Sequence, residues 1–327
     1  MKIYSGSMGT GKTTRLLAAY QELIATGAKT GEILVLAMNA TAVSDWRKRL
    51  NLPASGNINV YTYFGFVQRE ITRLWPRVES NLPGGSLTLE PVFMTTETSH
   101  YLMGLLVDRC RGEGYLPSVR ATTQQIAIQL IDNLNTMAIN NLSFAEAKLR
   151  FQHLAEGNRE KELTFTQAAE LMTEFRQNCL EARCLDYSLC VDLYNRYLLS
   201  DPAYGDALGF KYLLVDNLEE SVPAAQDLIK GILPRVSKAY LGFDPTGGRT
   251  SYFGADPASA AKEILSLGKI EELTEHFSSS REIQRFALVL AQRITGRGPD
   301  VDLDGGVIKG QISTQFRGEM LQQVAQA

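Results

Sequence analysis

The 327-residue sequence predicts an α/β fold: a doubly wound parallel sheet with helices on both faces, interrupted by an all-α insertion. Three observations carry this expectation. A glycine-rich turn, GSMGTGKT from Gly6 to Thr13, follows the short apolar run Ile3–Tyr4 and opens a helical stretch, Thr13–Ala25. Near-continuous apolar runs recur between helices, as in a sheet covered on both faces. That strand pattern stops at about residue 75 and resumes at about 210, and the sequence between repeats its apolar residues near every 3.6 positions.

The turn fits the phosphate-loop template G-x-x-x-x-G-K-[ST], with an extra glycine at Gly9. Backbone amides across Gly6, Gly9, Thr10, Gly11, Lys12, Thr13 and Thr14 are expected to cradle phosphate oxygens, because glycine lets the chain come that close. Lys12 is expected to reach the terminal phosphates and Thr13 to hold Mg²⁺. The bland alternative is a glycine-rich strand–helix turn with no ligand.

The next strands are Ile33–Met38 and Ile58–Tyr63. Helical spacing then covers Thr98–Arg111, Thr123–Asn140, Ser143–His153, Thr164–Ala182 and Asp186–Leu199, with a capping box from Ser143 to Glu146. Leu82–Ser86, with Pro83 and paired glycines, reads as the entry linker to this insertion, and Asp201–Gly209 as its exit. Strands resume at Tyr212–Val215, Ala239–Phe243 and Ile270–Leu273. The first of these ends in Asp216, at the strand end from which P-loop NTPases hold Mg²⁺ through a carboxylate. Val307–Ser313 reads as another strand, and Gly318–Ala327 as the start of an amphipathic helix without a cap, a pattern more natural inside a domain than at its end.

Composition narrows the class. No apolar run is long enough to span a membrane, and no signal peptide precedes the glycine turn, so a cytoplasmic protein of about two domains is expected. Cys110, Cys179, Cys184 and Cys190 lack zinc-like spacing and read as buried thiols, and the three histidines are scattered. The net charge of −3 hides an asymmetry: residues 1–74 carry nine Lys and Arg against four Asp and Glu. Arg47, Lys48, Arg49, Arg69 and Arg73 supply that surplus, which suits either a solvated helix face or a surface that tracks a nucleic-acid backbone. Trp46 and Trp75 are expected to pack in the core or at its boundary.

The order of segments resembles the UvrD/Rep group of superfamily 1 DNA helicases. Gly6–Thr13 matches motif I, Ile33–Leu50 looks like motif Ia and Val60–Ile71 like motif Ib. Tyr212–Gln226 is similar to motif II, Gly242–Asp256 to motif III and Leu273–Ile283 faintly to motif IV. The resemblance implies a RecA-like P-loop domain from residues 1–75 and 205–300, a helical insertion of the 1B type at 76–204, and the start of a truncated second domain at 301–327. It implies ATP and Mg²⁺ as ligands, with Lys12, Thr13 and Asp216 at the phosphates and metal. It also implies single-stranded or partly duplex DNA as partner, met by Asn39, Thr62, Phe64 and Tyr252, in DNA repair or recombination.

Departures from the family pattern matter. Asn217 stands where motif II has the glutamate that serves as general base, and an amide cannot accept a proton at neutral pH. Glu219 and Glu220 are close enough in sequence to substitute as catalytic carboxylates. The motif III glutamine has no counterpart across Thr246–Thr250, and Ser278 occupies the motif IV arginine position. The loop lies almost at Met1, without the upstream glutamine motif that reads adenine. That last feature also resembles AddB, the partner subunit of a bacterial helicase–nuclease, whose helicase motifs are degenerate. Three readings follow: a helicase or translocase module, a non-motor helicase-like subunit with structural or regulatory nucleotide binding, and a small-molecule P-loop kinase with the insertion as lid. The six ordered segments argue against the kinase.

Overall fold

A computed structural model describes residues 1–50, 58–82, 90–155, 157–278 and 280–295. The described part of Met1–Leu273 forms one compact unit, and Thr274 begins a second. In chain order the first unit runs β1 (Lys2–Ser5), α1 (Lys12–Ala25), β2 (Ile33–Leu36), α2 (Ala40–Leu50), β3 (Val60–Tyr61), α3 (Tyr63–Arg73) and α4 (Trp75–Glu79). The insertion follows as β4 (Val92–Phe93), α5 (Thr96–Gly112), α6 (Thr123–Ile139), α7 (Phe144–Ala155), α8 (Arg159–Glu181), β5 (Cys184–Leu185), α9 (Tyr187–Tyr194), a π-helical turn Asn195–Leu199, and α10 (Pro202–Ala207). Then come β6 (Tyr212–Val215), α11 (Pro223–Ile232), β7 (Lys238–Phe243), α12 (Pro257–Glu263) and β8 (Lys269–Glu272). In the second unit α13 spans Arg281–Thr295.

Six strands form one parallel sheet in the order β3-β2-β6-β7-β1-β8. Alternate residues feed two cores, as the period-2 pleat requires. Tyr4, Ile33, Val35 and Leu214 face α1 and α2, together with Leu16, Tyr20, Trp46 and Leu50. Ile3, Leu34, Leu36, Leu213, Val215 and Leu241 share the other core with α3, α11 and the helices of the insertion. The doubly covered α/β sheet expected from the apolar runs is therefore present, and the insertion packs onto one of its faces.

Side-chain caps set the helix starts. Thr62, Thr95, Thr122 and Asp186 each accept a backbone N–H three residues on, in the first turn of α3, α5, α6 and α9. The predicted capping box forms, with Ser143 N donating to Glu146 Oε2 at 2.8 Å and Glu146 N to Ser143 Oγ at 3.2 Å.

Three differences stand out. The insertion is not purely helical: β4 and β5 form a parallel pair, and two-residue strands carry no readable periodicity. Helix α8 starts at Arg159 rather than Thr164, because Asn158 caps it earlier through Lys161 N. The expected exit loop contains α10, started by Asp201 as cap and Pro202 in its first turn. The entry linker beyond Leu82 and the elements expected over residues 296–327, including Val307–Ser313 and Gly318–Ala327, lie outside the described residues.

Candidate nucleotide site

The carboxyl ends of β1, β6 and β7 converge on one site, because β7 lies between the other two. From β1 the chain turns at Gly6, whose N–H donates to Phe243 O at 3.0 Å. A Cβ at Gly6 would stand 2.5 Å from Thr10 Oγ1 and 2.6 Å from Leu273 O, so no other residue fits there. Gly9 and Gly11 both have φ of 87°, in the left-handed region that glycine adopts freely. Thr10 Oγ1 closes the loop on Ser7 O at 2.8 Å. With Gly11 as its cap, α1 has no side-chain acceptor at its amino end and no acidic residue in its first turn. Its first N–H groups are an anion site.

Lys12 is buried, and its Nζ donates to Gly6 O at 2.6 Å and to Ser7 O at 3.0 Å. Asp244 Oδ2 lies 3.5 Å away from the same ammonium. Thr13 Oγ1 donates to Asp216 Oδ1 at 3.2 Å, so the two residues expected to share a metal are side by side. Asp216 Oδ2 accepts from the indole of Trp46, Nε1, at 2.9 Å. Burial pushes the Asp216 carboxyl above its ordinary range, against the bonds from Trp46 and Thr13 and the Lys12 charge. A hydroxyl and a carboxylate are hard oxygen donors of the kind Mg²⁺ selects, and the glycine cradle with its lysine suits a triphosphate. The residues fit Mg–ATP.

Beyond Asp216 the wiring differs from the expectation of a base. Asn217 takes a left-handed conformation (φ 56°, ψ 52°) and donates from Nδ2 to Glu219 Oε1 at 3.2 Å. The other Glu219 oxygen accepts from Asp244 N at 2.9 Å. Glu219 is 2 % exposed, and burial pushes its carboxyl up despite these bonds. Glu220 points elsewhere. It accepts from Gly248 N at 3.1 Å, Arg249 N at 3.0 Å and Thr250 N at 2.8 Å, and from the Thr250 hydroxyl. Burial alone would raise its carboxyl; those bonds outweigh it and hold the group below its usual value.

Residues expected on DNA sit along the same strand ends. Asn39 is exposed and caps α2 through Ala42 N at 2.9 Å. Thr62 caps α3 through Gly65 N at 3.0 Å. Phe64 lies against Tyr187 with ring centroids 4.5 Å apart, beside a cavity of about 300 Å³ that Met38, Thr62, Asn217 and Glu220 also line. Tyr252 stands outside that cavity, 92 % exposed, with its neighbour Phe253 also exposed. Thr14 is exposed and accepts from Arg49 Nη2 at 3.2 Å.

Part of the basic surplus is paired within the fold. Arg69 and Arg73 both pair with Glu70, a fully buried carboxylate, at 2.7 and 2.6 Å. Tyr204 donates to the same group at 3.1 Å. Arg47 Nη2 donates to Val60 O at 3.0 Å. A count of charges does not see these partners. Sequence reasoning also missed Asp244 and Trp46. Asp244 was legible in principle, because it ends an apolar strand just as Asp216 does. Trp46 was placed in the core, where it is, but its N–H partner lies 170 residues away.

A glycine cradle on a helix start, a lysine inside it, and a threonine of that helix paired with an aspartate at the end of β6 define a P-loop nucleotide-binding domain. The profile of the UvrD/REP helicase N-terminal domain matches residues 1–241, and the chain belongs to that family. It is a nucleotide-binding helicase module. No curated protein matches the chain. Among the described residues no helix is long and apolar enough to cross a membrane.

Proposed function

We propose that this chain is the ATP- and single-stranded-DNA-binding amino-terminal module of a UvrD-like helicase or translocase, with a nucleotide site that binds better than it hydrolyses. Residues 1–75 and 205–300 are its RecA-like part and 76–204 its 1B-type insertion. Its setting is cytoplasmic DNA repair or recombination. The observation that carries the reading is the Lys12, Thr13 and Asp216 arrangement joined to an amide at 217. Lys12 holds the terminal phosphates of ATP. Thr13 and Asp216 hold Mg²⁺, which when bound neutralises the charge on the transferring phosphate.

Asn217 supplies no base, Glu219 braces the turn to Asp244, and Glu220 clamps the 248–250 loop. Losing a positioned base costs about 10²–10⁴ in rate. Asn39, Thr62, Phe64 and Tyr252 meet the DNA, with the two aromatics as stacking surfaces. The test is calorimetry with Mg–ATP together with fluorescence anisotropy on a single-stranded oligonucleotide. Binding of both is expected. Failure to bind Mg–ATP sinks the reading. Asn217 also favours a second reading, a non-motor AddB-like subunit that works with a helicase–nuclease partner. DNA-stimulated turnover in the natural full-length polypeptide would exclude it.

A further inference from the structure

Helix α2 reaches into the nucleotide site through one indole. Trp46 is 1 % exposed, and its Nε1 is the partner of Asp216 Oδ2 at 2.9 Å. The other Asp216 oxygen faces Thr13 Oγ1 at 3.2 Å. The indole therefore divides the carboxylate into an oxygen held by α2 and an oxygen turned toward the threonine. Packing alone does not require this, since a phenylalanine would fill the apolar space without the N–H. The same helix grips α1 through Arg49 and Thr14, and β3 through Arg47 and Val60 O. Its amino end carries Asn39.

We propose that Trp46 is a positioning residue that presents one oxygen of Asp216 to Mg²⁺ and ties α2 to the occupancy of the nucleotide site. This rests on the reading of Thr13 and Asp216 as the metal pair. A hydrogen-bond partner behind a metal ligand fixes the ligand's orientation, and losing such a partner typically lowers metal affinity by about 10- to 100-fold. Trp46 thus acts on the Mg²⁺-dependent part of nucleotide binding and leaves the phosphate cradle alone.

The chain has two tryptophans, so Trp75→Phe leaves Trp46 as the single indole reporter. In that background ADP is titrated with Mg²⁺ and, separately, with a chelator. Trp46 emission is expected to change with Mg–ADP and to stay constant with ADP in chelator. By calorimetry, Trp46→Phe is expected to weaken Mg–ADP binding by about 10- to 100-fold and to leave metal-free ADP binding unchanged. Equal losses with and without Mg²⁺, or no loss at all, reduce the indole to packing and overturn the proposal. Should Trp46→Phe not fold, emission from Trp46 that ignores Mg–ADP overturns it equally. Absence of ADP binding in the unsubstituted chain under both conditions is a distinct result, which removes the nucleotide site and this inference with it.

Discussion

The two halves of the nucleotide site are built to different plans. On one side Gly6–Thr13 keeps the glycines, the lysine and the hydroxyl, and its polar atoms close on each other within the loop. On the other side, across Asp216–Thr250, the aspartate lies beside Thr13 and the groups around it bond one another. Asn217 and Glu219 bond each other, Glu219 holds Asp244, and Glu220 holds the following loop. On the function proposed above, this contrast separates binding from hydrolysis. The cradle is a backbone device, fixed by a few glycines, whereas the base is a single side chain that one substitution removes.

The largest effect expected comes from restoring that side chain. Asn217→Glu alone sets a new carboxylate against Glu219 Oε1, the present partner of the amide at 3.2 Å. Two like charges at that range disfavour ionisation of one of them. The double change Asn217→Glu with Glu219→Gln reverses the pair and gives the new carboxylate an amide donor. In the natural full-length polypeptide with DNA present, phosphate release by the double variant is expected to rise by about 10²–10⁴ over the parent. Unchanged turnover in Asn217→Glu, with turnover abolished in Glu219→Gln, would show that Glu219 already serves as base and that the two halves are not separate.

Next in size is the cradle itself. Lys12→Ala removes the ammonium that now bonds Gly6 O and Ser7 O and faces Asp244. ATP affinity by calorimetry is expected to fall at least about tenfold, or ~1.4 kcal/mol. Unaltered affinity would take the phosphate role away from this loop.

These two predictions also mark what was legible beforehand. Strands β2, β6 and β7 are apolar runs, and the cap at Ser143 is a four-residue pattern, so local chemistry announced them; the edge strand β8, Lys-Ile-Glu-Glu, carries one apolar residue. Trp46 and Asp216, Glu70 and Tyr204, and Glu220 with the 248–250 loop are pairs brought together by topology. Residues such as Arg69 and Arg73 looked like free positive charge because the buried Glu70 that neutralises them is one acid among 36 Asp and Glu. The site's binding half is contiguous in sequence and was readable. Its other half is assembled from the ends of two strands, β6 and β7, and was not.

Tyr252 tests whether the rewired loop has gained a nucleic-acid role. At 92 % exposure its ring contributes little to the core, so Tyr252→Ala is expected to leave the unfolding midpoint unchanged. Binding of a single-stranded oligonucleotide is expected to weaken by about 1–3 kcal/mol, the worth of one base stacked on an aromatic ring. Anisotropy titrations that match the parent would remove Tyr252 from the interface and leave Phe64 and its cavity as the aromatic contact.

The last effect concerns Glu220, and it is a stability effect with a sign that pH reveals. Three backbone amides and the Thr250 hydroxyl hold the ionised carboxylate, so its folded-state pKa is lowered. A lowered carboxyl contributes stability above its unfolded value, about 4.3, and loses it as pH falls through the folded value. Glu220→Gln keeps the shape but gives up the charge, and sets an amide nitrogen toward backbone N–H donors. At pH 7 it is expected to cost about 1.5–3 kcal/mol in urea unfolding, the range for hydrogen bonds to a charged group. The deficit should hold steady from pH 8 to pH 6 and shrink below about pH 4.3, where the carboxyl of the unfolded chain takes up its proton while the folded one stays ionised. Because Glu220 faces the loop and not the phosphates, Mg–ADP affinity should be unchanged in the same variant. A deficit independent of pH would mean that shape and not charge holds the loop. A loss of Mg–ADP affinity would mean that the clamp at 248–250 and the metal aspartate move together, and the two halves of the site would then be one.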